Sequence, residues 1–244
     1  MSKKLLLTSL MAVTLSACSN MNPMGVLQVG STLFQAASIS DADVKALGAQ
    51  SAAKLDAENK IATSNSKYSQ RLNRITKNLR SYNGQPMNFK VYMNNDMNAF
   101  ALPNGDIRVY SGLLDKMTDD EVLFVVGHEM GHVVYGHSKS QMRSSLLTTA
   151  ARQAAAASGN SIVASLSSGQ IGNLAHKLID AQYSQSDEYE ADAHGLKVLK
   201  ENGRSKDAAV SALRKIAAIS GGQSTIFSSH PDSDKRAERI ANMN

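Results

Sequence analysis

Between residues 128 and 132 the chain reads His128-Glu129-Met130-Gly131-His132, and no other stretch limits the fold as much. On an α-helix, residues four apart share a face, so both imidazoles can point at one ion, and Glu129 beside them can reach a water on that ion. A cation there lowers the pKa of water, and the carboxylate can take its proton as the water attacks a peptide carbonyl. Neither His nor Glu generates hydroxide alone at neutral pH. The flanks suit a buried helix: Val125, Val126, Val133 and Val134 are apolar, and Gly127 and Gly131 allow close approach of a second element. Thr118-Asp119-Asp120-Glu121 forms a capping box, with Thr118 at N-cap and Glu121 at N3. The helix is expected to run to about His137, with Gly136 ending it.

Two ligands do not complete a catalytic zinc site, which takes three protein ligands and one open position. A third His six residues after the second, with Gly halfway, is ruled out, because those positions hold Ser138 and Tyr135. The alternative is a carboxylate on a later helix. Within Ser184–Asp192, Glu188 is the candidate ligand, and Asp192 lies four residues on along the same face, placed to accept a hydrogen bond from a ligand imidazole and fix its tautomer. Glu190 sits about 200° round the helix from Glu188 and reads as a solvated acid. His137, His176 and His194 lack ligand spacing. His137 is expected to favour a helix C-terminus, and the other two to lie at the surface or in local caps.

Elsewhere the pattern alternates between helix and a short β-region. Ser40 can cap a helix with Asp41 and Asp43 in its first turn. Tyr68, Leu72, Ile75 and Leu79 recur at helical spacing from Ser66, with Asn83-Gly84 and Pro86 as the stop. Phe89, Val91 and Met93 alternate as in a half-buried strand, and Pro103-Asn104-Gly105-Asp106 joins two short apolar runs as a hairpin, because Asn-Gly accepts positive φ. Residues 141–180 are Ala- and Ser-rich, broken at Gly159-Asn160 and Gly172, and read as two or three helices. Further helices are expected over 184–201, from Ser205 to about Ser220, and over 234–244. Fold class is therefore α+β, mostly α-helical, with a small β-sheet beside the H-E-x-x-H helix.

The first residues read as an address. Lys3 and Lys4 precede an apolar stretch from Leu5 to Leu15, too short to span a bilayer comfortably, so residues 1–17 are expected to be a removable signal peptide. Leu15-Ser16-Ala17-Cys18 resembles a bacterial lipobox, in which the Cys is lipidated and becomes the first mature residue. Cys18 is the single cysteine among 244 residues, so neither an intramolecular disulfide nor a cysteine metal site is available. Several acyl chains on one residue give stable anchoring. Ser19, in place of Asp, implies by the same resemblance the outer membrane, with the body facing the periplasm. A short apolar helix is expected around Val26–Phe34, and residues 18–64 form the tether and first helices. The formal charge is +5, with no Lys/Arg-rich run and no basic stripe interleaved with aromatics, which excludes nucleic acid as a natural partner.

Taken together, His128-Glu129-x-x-His132 followed by Glu188-x-x-Ala191-Asp192 resembles metallopeptidase family forty-eight, which includes HtpX-like, CAAX-prenyl-protease-like and OMA-like enzymes. Asn98-Ala99-Phe100-Ala101-Leu102 with Gly112-Leu113-Leu114, and Ser229-His230-Pro231 with Arg236, resemble further family segments, and the likeness covers about 65–244. It implies a gluzincin-type zincin peptidase domain over those residues, with Zn2+ bound by His128, His132 and Glu188, Glu129 as general base and Asp192 in support. It also implies that the Asn98–Leu102 strand receives substrate as an added strand, and that His230 either stabilises the oxyanion or occupies the open zinc position. Arg236 would support the ligands. Gln185 departs from the family pattern, which often has Arg there. The lipobox suits the periplasmic lipoprotein subgroup. The function implied is an envelope endopeptidase acting on misfolded proteins, with protein or peptide substrates and a possible envelope protein partner. The rivals are a chaperone-like lipoprotein that binds without cutting and a structural zinc lipoprotein.

Overall fold

The computed structural model describes residues 39–153, 166–180, 182–218 and 229–243. The signal segment, Cys18, the helix expected around Val26–Phe34 and the Gly159-Asn160 break lie outside them. One compact unit takes in Ile39–Leu146 and Leu166–Asn244 and carries all the candidate site residues from Asn98 onward. The other comprises Met1–Ser38 and Leu147–Ser165, of which Leu147–Gln153 is described as helix.

Helix α1 (Asp41–Glu58) opens on a capping box, in which Ser40 accepts from the Asp43 amide and Asp43 reaches back. Helix α2 (Lys67–Ile75) is capped by Ser66. It ends a turn earlier than the spacing through Leu79 predicts. The Thr76 hydroxyl donates to the Leu72 carbonyl at 2.9 Å, and the chain leaves the helix there while Leu79 still packs inward. Asn83-Gly84 is therefore not a helix stop. It turns a hairpin of two very short strands, β1 (Ser81–Tyr82) and β2 (Gln85–Pro86), with φ of 48° and 78° at the two turn residues.

The main sheet has three strands: β3 (Asn88–Tyr92), β4 (Ala99–Ala101) and β5 (Asp106–Tyr110). Their order is β3-β5-β4, with β3 parallel to β5 and β4 antiparallel to it, so β4 occupies an edge. The expected hairpin forms, but Gly105 alone takes the left-handed conformation, at φ 90°. Beneath the sheet, α1 is tied in by Asp56. Its carboxylate accepts from Arg108 Nε at 2.9 Å, Lys90 Nζ at 2.6 Å and the Tyr92 hydroxyl at 2.7 Å, which pairs the buried guanidinium of Arg108.

Short α3 (Ser111–Lys116) leads into α4 (Asp119–Val134), whose Thr118–Glu121 capping box forms as the sequence requires. Helix α4 stops before His137. Tyr135 caps it, Gly136 takes φ 80°, and His137 is the first residue of α5 (His137–Gln153). Helix α6 (Ser168–Ile179) runs through Gly172 without a break. It lies against α1, where a Cβ on Gly172 would meet Lys54 Cε at 3.3 Å, so the missing side chain makes room for α1. Then come α7 (Gln185–Glu201), capped by Ser184, α8 (Asp207–Ala217) and α9 (Ser233–Ala241).

Helices α4 and α7 pack closely against each other. A Cβ on Gly131 would lie 2.8 Å from the Ala191 Cα, and one on Gly127 would lie 3.0 Å from the Gly195 Cα. Small residues thus bring the two backbones together where the histidines of one face the acids of the other. Around them the core includes Phe124, Val126, Met130, Val198, Leu213 and Ile240, each almost fully buried. Each such side chain contributes roughly 1.5–3 kcal/mol on leaving water.

Candidate metal centre

Helix α4 contributes His128, Glu129 and His132, α7 contributes Glu188 and Asp192, and the segment before α9 contributes His230. All six are buried. His128 Nε2 lies 3.0 Å from His132 Nε2, 3.2 Å from His230 Nδ1 and 3.6 Å from Glu188 Oε2. Glu188 Oε1 lies 3.5 Å from His132 Nε2 and 2.9 Å from His230 Nδ1. One atom from each of His128, His132, Glu188 and His230 falls within 4.8 Å of the others.

These spacings suit a cation. Four donors at metal bonds of ~2.0–2.1 Å stand about 3.4 Å apart at the corners of a tetrahedron. The chemistry agrees. His128 Nδ1 faces the Asp192 carboxylate at 3.0 Å, and a carboxylate only accepts, so Nδ1 donates and Nε2 presents a lone pair to the cluster. That lone pair looks onto a second imidazole nitrogen and a carboxylate oxygen, an electron-rich hollow that a cation relieves.

Arg236 holds the outer layer. Its Nε and Nη2 donate to Asp192 at 2.9 Å and 2.6 Å, and Nη1 forms an ion pair with Glu188. Burial works to raise the Asp192 carboxyl, but the bonds from Arg236 and His128 outweigh it and hold it far below the usual carboxylate range. Burial likewise lowers the His128 and His132 imidazoles, and keeping them neutral is what ligation needs. Glu129 differs. Its Oε1 has no hydrogen bond, and His230 Nε2 is 3.4 Å away. Burial pushes its carboxyl up to about 7, with Glu188 adding to the rise and His230 opposing it. A carboxylate poised near neutrality suits proton exchange.

The structure thus brings together His128, Glu129, His132, Glu188, Asp192, His230 and Arg236. Asn98–Leu102 lies apart from that cluster, on the β4 edge next to α4. Two expectations are corrected. His137 does not close α4 as a dipole partner. It is buried, with Nδ1 3.0 Å from His132 Nδ1 and Nε2 3.2 Å from Glu190 Oε2, while Glu190 itself stays exposed and outside the donor set, as expected. His194 is not at the surface: it is fully buried, and its Nδ1 meets the Gly127 carbonyl at 2.8 Å. His176 is exposed and pairs with Glu58, as expected of a surface residue. Tyr183 escaped sequence reasoning altogether. Its ring stacks on His132 with centroids 3.7 Å apart, and a lone Tyr between helices carries no periodic signal. For His137 a signal did exist: a Gly immediately before it, able to turn the chain back towards the motif.

The fold and donor set are those of a metal-dependent peptidase, and the comparison with known families agrees: residues 63–244 match Peptidase family M48, to which the chain belongs. It is a metalloprotease of that family. Among its relatives are metalloprotease LoiP of Escherichia coli (strain K12), 47% identical over 98% of this chain and 95% of that protein, and metalloprotease YcaL of the same strain, 41% identical over the same shares. A more distant likeness is the mitochondrial metalloendopeptidase OMA1 of Danio rerio, 35% identical over 42% of this chain and 23% of that one.

Proposed function

We propose that this protein is a zinc-dependent endopeptidase, lipid-anchored through Cys18 on the periplasmic face of the outer membrane, that cleaves misfolded or misassembled envelope proteins. The observation that carries the chemistry is the convergence of His128, His132 and Glu188 on one hollow, with Glu129 beside it, its Oε1 without a hydrogen bond. Three nitrogen and oxygen ligands with a neighbouring base suit zinc. When bound, the cation supplies Lewis acidity to a water and to the scissile carbonyl. Glu129 takes the proton of the attacking water and delivers it to the leaving amine. Asp192 holds His128 in the right tautomer, and Arg236 holds Asp192 and neutralises excess charge at Glu188.

His230 Nδ1 stands within the donor set, at the corner that water would need. Of its two readings, that placement favours the one in which His230 closes the site, so that turnover needs the ring to move aside. The β4 edge would accept substrate as an added strand. Ala99 and Ala101 alternate with the positions that bond β5, and main-chain pairing suits diverse extended peptides. The anchor rests on Leu15–Cys18 and Ser19. No described helix is long and apolar enough to cross a membrane.

The test is metal analysis of the purified protein together with casein cleavage by the native chain and a Glu129→Gln variant. One zinc per chain, activity lost with chelator and no cleavage by the variant are expected. Cleavage that persists unchanged in the variant removes Glu129 as base. Bound zinc without turnover in the native chain points to the structural or chaperone-like alternative.

A further inference from the structure

His137 stands at the first position of α5, brought back towards α4 by the left-handed turn at Gly136. Its side chain is 8% exposed and lies between His132 and two acids of α7. Nε2 faces Glu190 Oε2 at 3.2 Å and Asp187 Oδ1 at 3.5 Å, while Nδ1 faces His132 Nδ1 at 3.0 Å.

The hydrogen-bond roles follow from counting hydrogens. A neutral imidazole carries one N–H. The two carboxylates accept and cannot donate, so the hydrogen of His137 belongs on Nε2. Its Nδ1 is then an acceptor, and the only hydrogen that can fill the 3.0 Å contact is the one on His132 Nδ1. That leaves the lone pair of His132 on Nε2, the atom that faces His128 and Glu188. Tyr183, stacked on the same ring, fixes its plane but exchanges no hydrogen with it.

We infer that His137 is the positioning residue of His132: with Glu190 and Asp187 it forms a His–His–carboxylate relay that selects the ligating tautomer. The inference rests on His132 being a metal ligand. The two imidazole ligands of α4 are thus oriented by different means. His128 uses a buried carboxylate directly, whereas His132 uses an imidazole that passes the polarisation of exposed acids inward.

The experiment is a zinc affinity measurement on the full-length protein by competition with a chromophoric chelator, comparing the native chain with His137→Leu and His137→Asn. Leu removes the acceptor, and affinity is expected to fall about 10–100-fold. Asn places an amide oxygen near the lost Nδ1 and is expected to recover most of it. Long-range proton–nitrogen spectra of the zinc-loaded native protein are expected to show the His132 hydrogen on Nδ1, a readout that does not depend on the variants folding. Equal affinity in the native chain and His137→Leu, or a His132 hydrogen on Nε2, overturns the relay and leaves the metal site standing. A native chain that binds no zinc overturns both.

Discussion

Replacing Glu129 with Gln is expected to stabilise the metal-free protein at alkaline pH and to leave it nearly unchanged in acid. Glu129 is 1% exposed, its Oε1 lacks a hydrogen bond, and burial holds its carboxyl at about 7 against an ordinary 4.5. The sign follows from where the proton sits. Below the unfolded value both states are protonated, and burial of the neutral acid carries no ionisation penalty. Between 4.5 and about 7 the unfolded chain releases its proton while the folded one keeps it, so stability falls as pH rises. Above about 7 the folded state bears the whole difference, which for a shift of this size is about 3 kcal/mol. Gln cannot ionise and escapes the penalty. In a domain of this size each kcal/mol moves the midpoint by roughly 2–4 °C. The variant should therefore melt about 6–12 °C above the native chain near pH 9, and the two should melt almost together near pH 4.5. Scanning calorimetry in the presence of chelator reads this directly. A difference in midpoint that is the same at both pH values would refute the argument, because it would mean that burial does not perturb this carboxyl.

Gly131→Ala sets a Cβ 2.8 Å from the backbone Cα of Ala191, so α7 must shift together with Glu188 and Asp192. A loss of about 1–3 kcal/mol in urea melts is expected, with weaker zinc retention in a chelator titration. Arg236→Met strips two buried carboxylates of their cation, and urea unfolding of the metal-free protein should show a loss of about 3–5 kcal/mol. A loss below 1 kcal/mol in that assay (about the size of an exposed ion pair) would mean that Arg236 is not holding the acids. Cys18→Ser should abolish incorporation of labelled palmitate and move the protein from the membrane to the soluble fraction, and retention in the membrane would end the anchoring proposal.

Local chemistry made much of this protein legible in its sequence. The caps at Ser40 and Thr118 mark helix starts because their hydrogen bonds close within four residues. His128 and His132 share a face wherever a helix forms, and Gly127 and Gly131 leave room for a close neighbour. Glu188 and Asp192 were found by their spacing on α7, since helical geometry fixes which residues point together. The tertiary structure decided what those faces meet. Whether α2 ends at Ile75 or runs on through Leu79, whether Gly172 breaks a helix or fits one against α1, and where α4 gives way to α5 depended on contacts between segments far apart in the chain. The same holds for the placement of His137 and Tyr183 against His132 and for the entry of His230 among the donors. A sequence fixes torsional preferences over a few residues. The meeting of side chains from α4, α7 and the segment before α9 at distances near 3 Å is set by how the whole core closes around them.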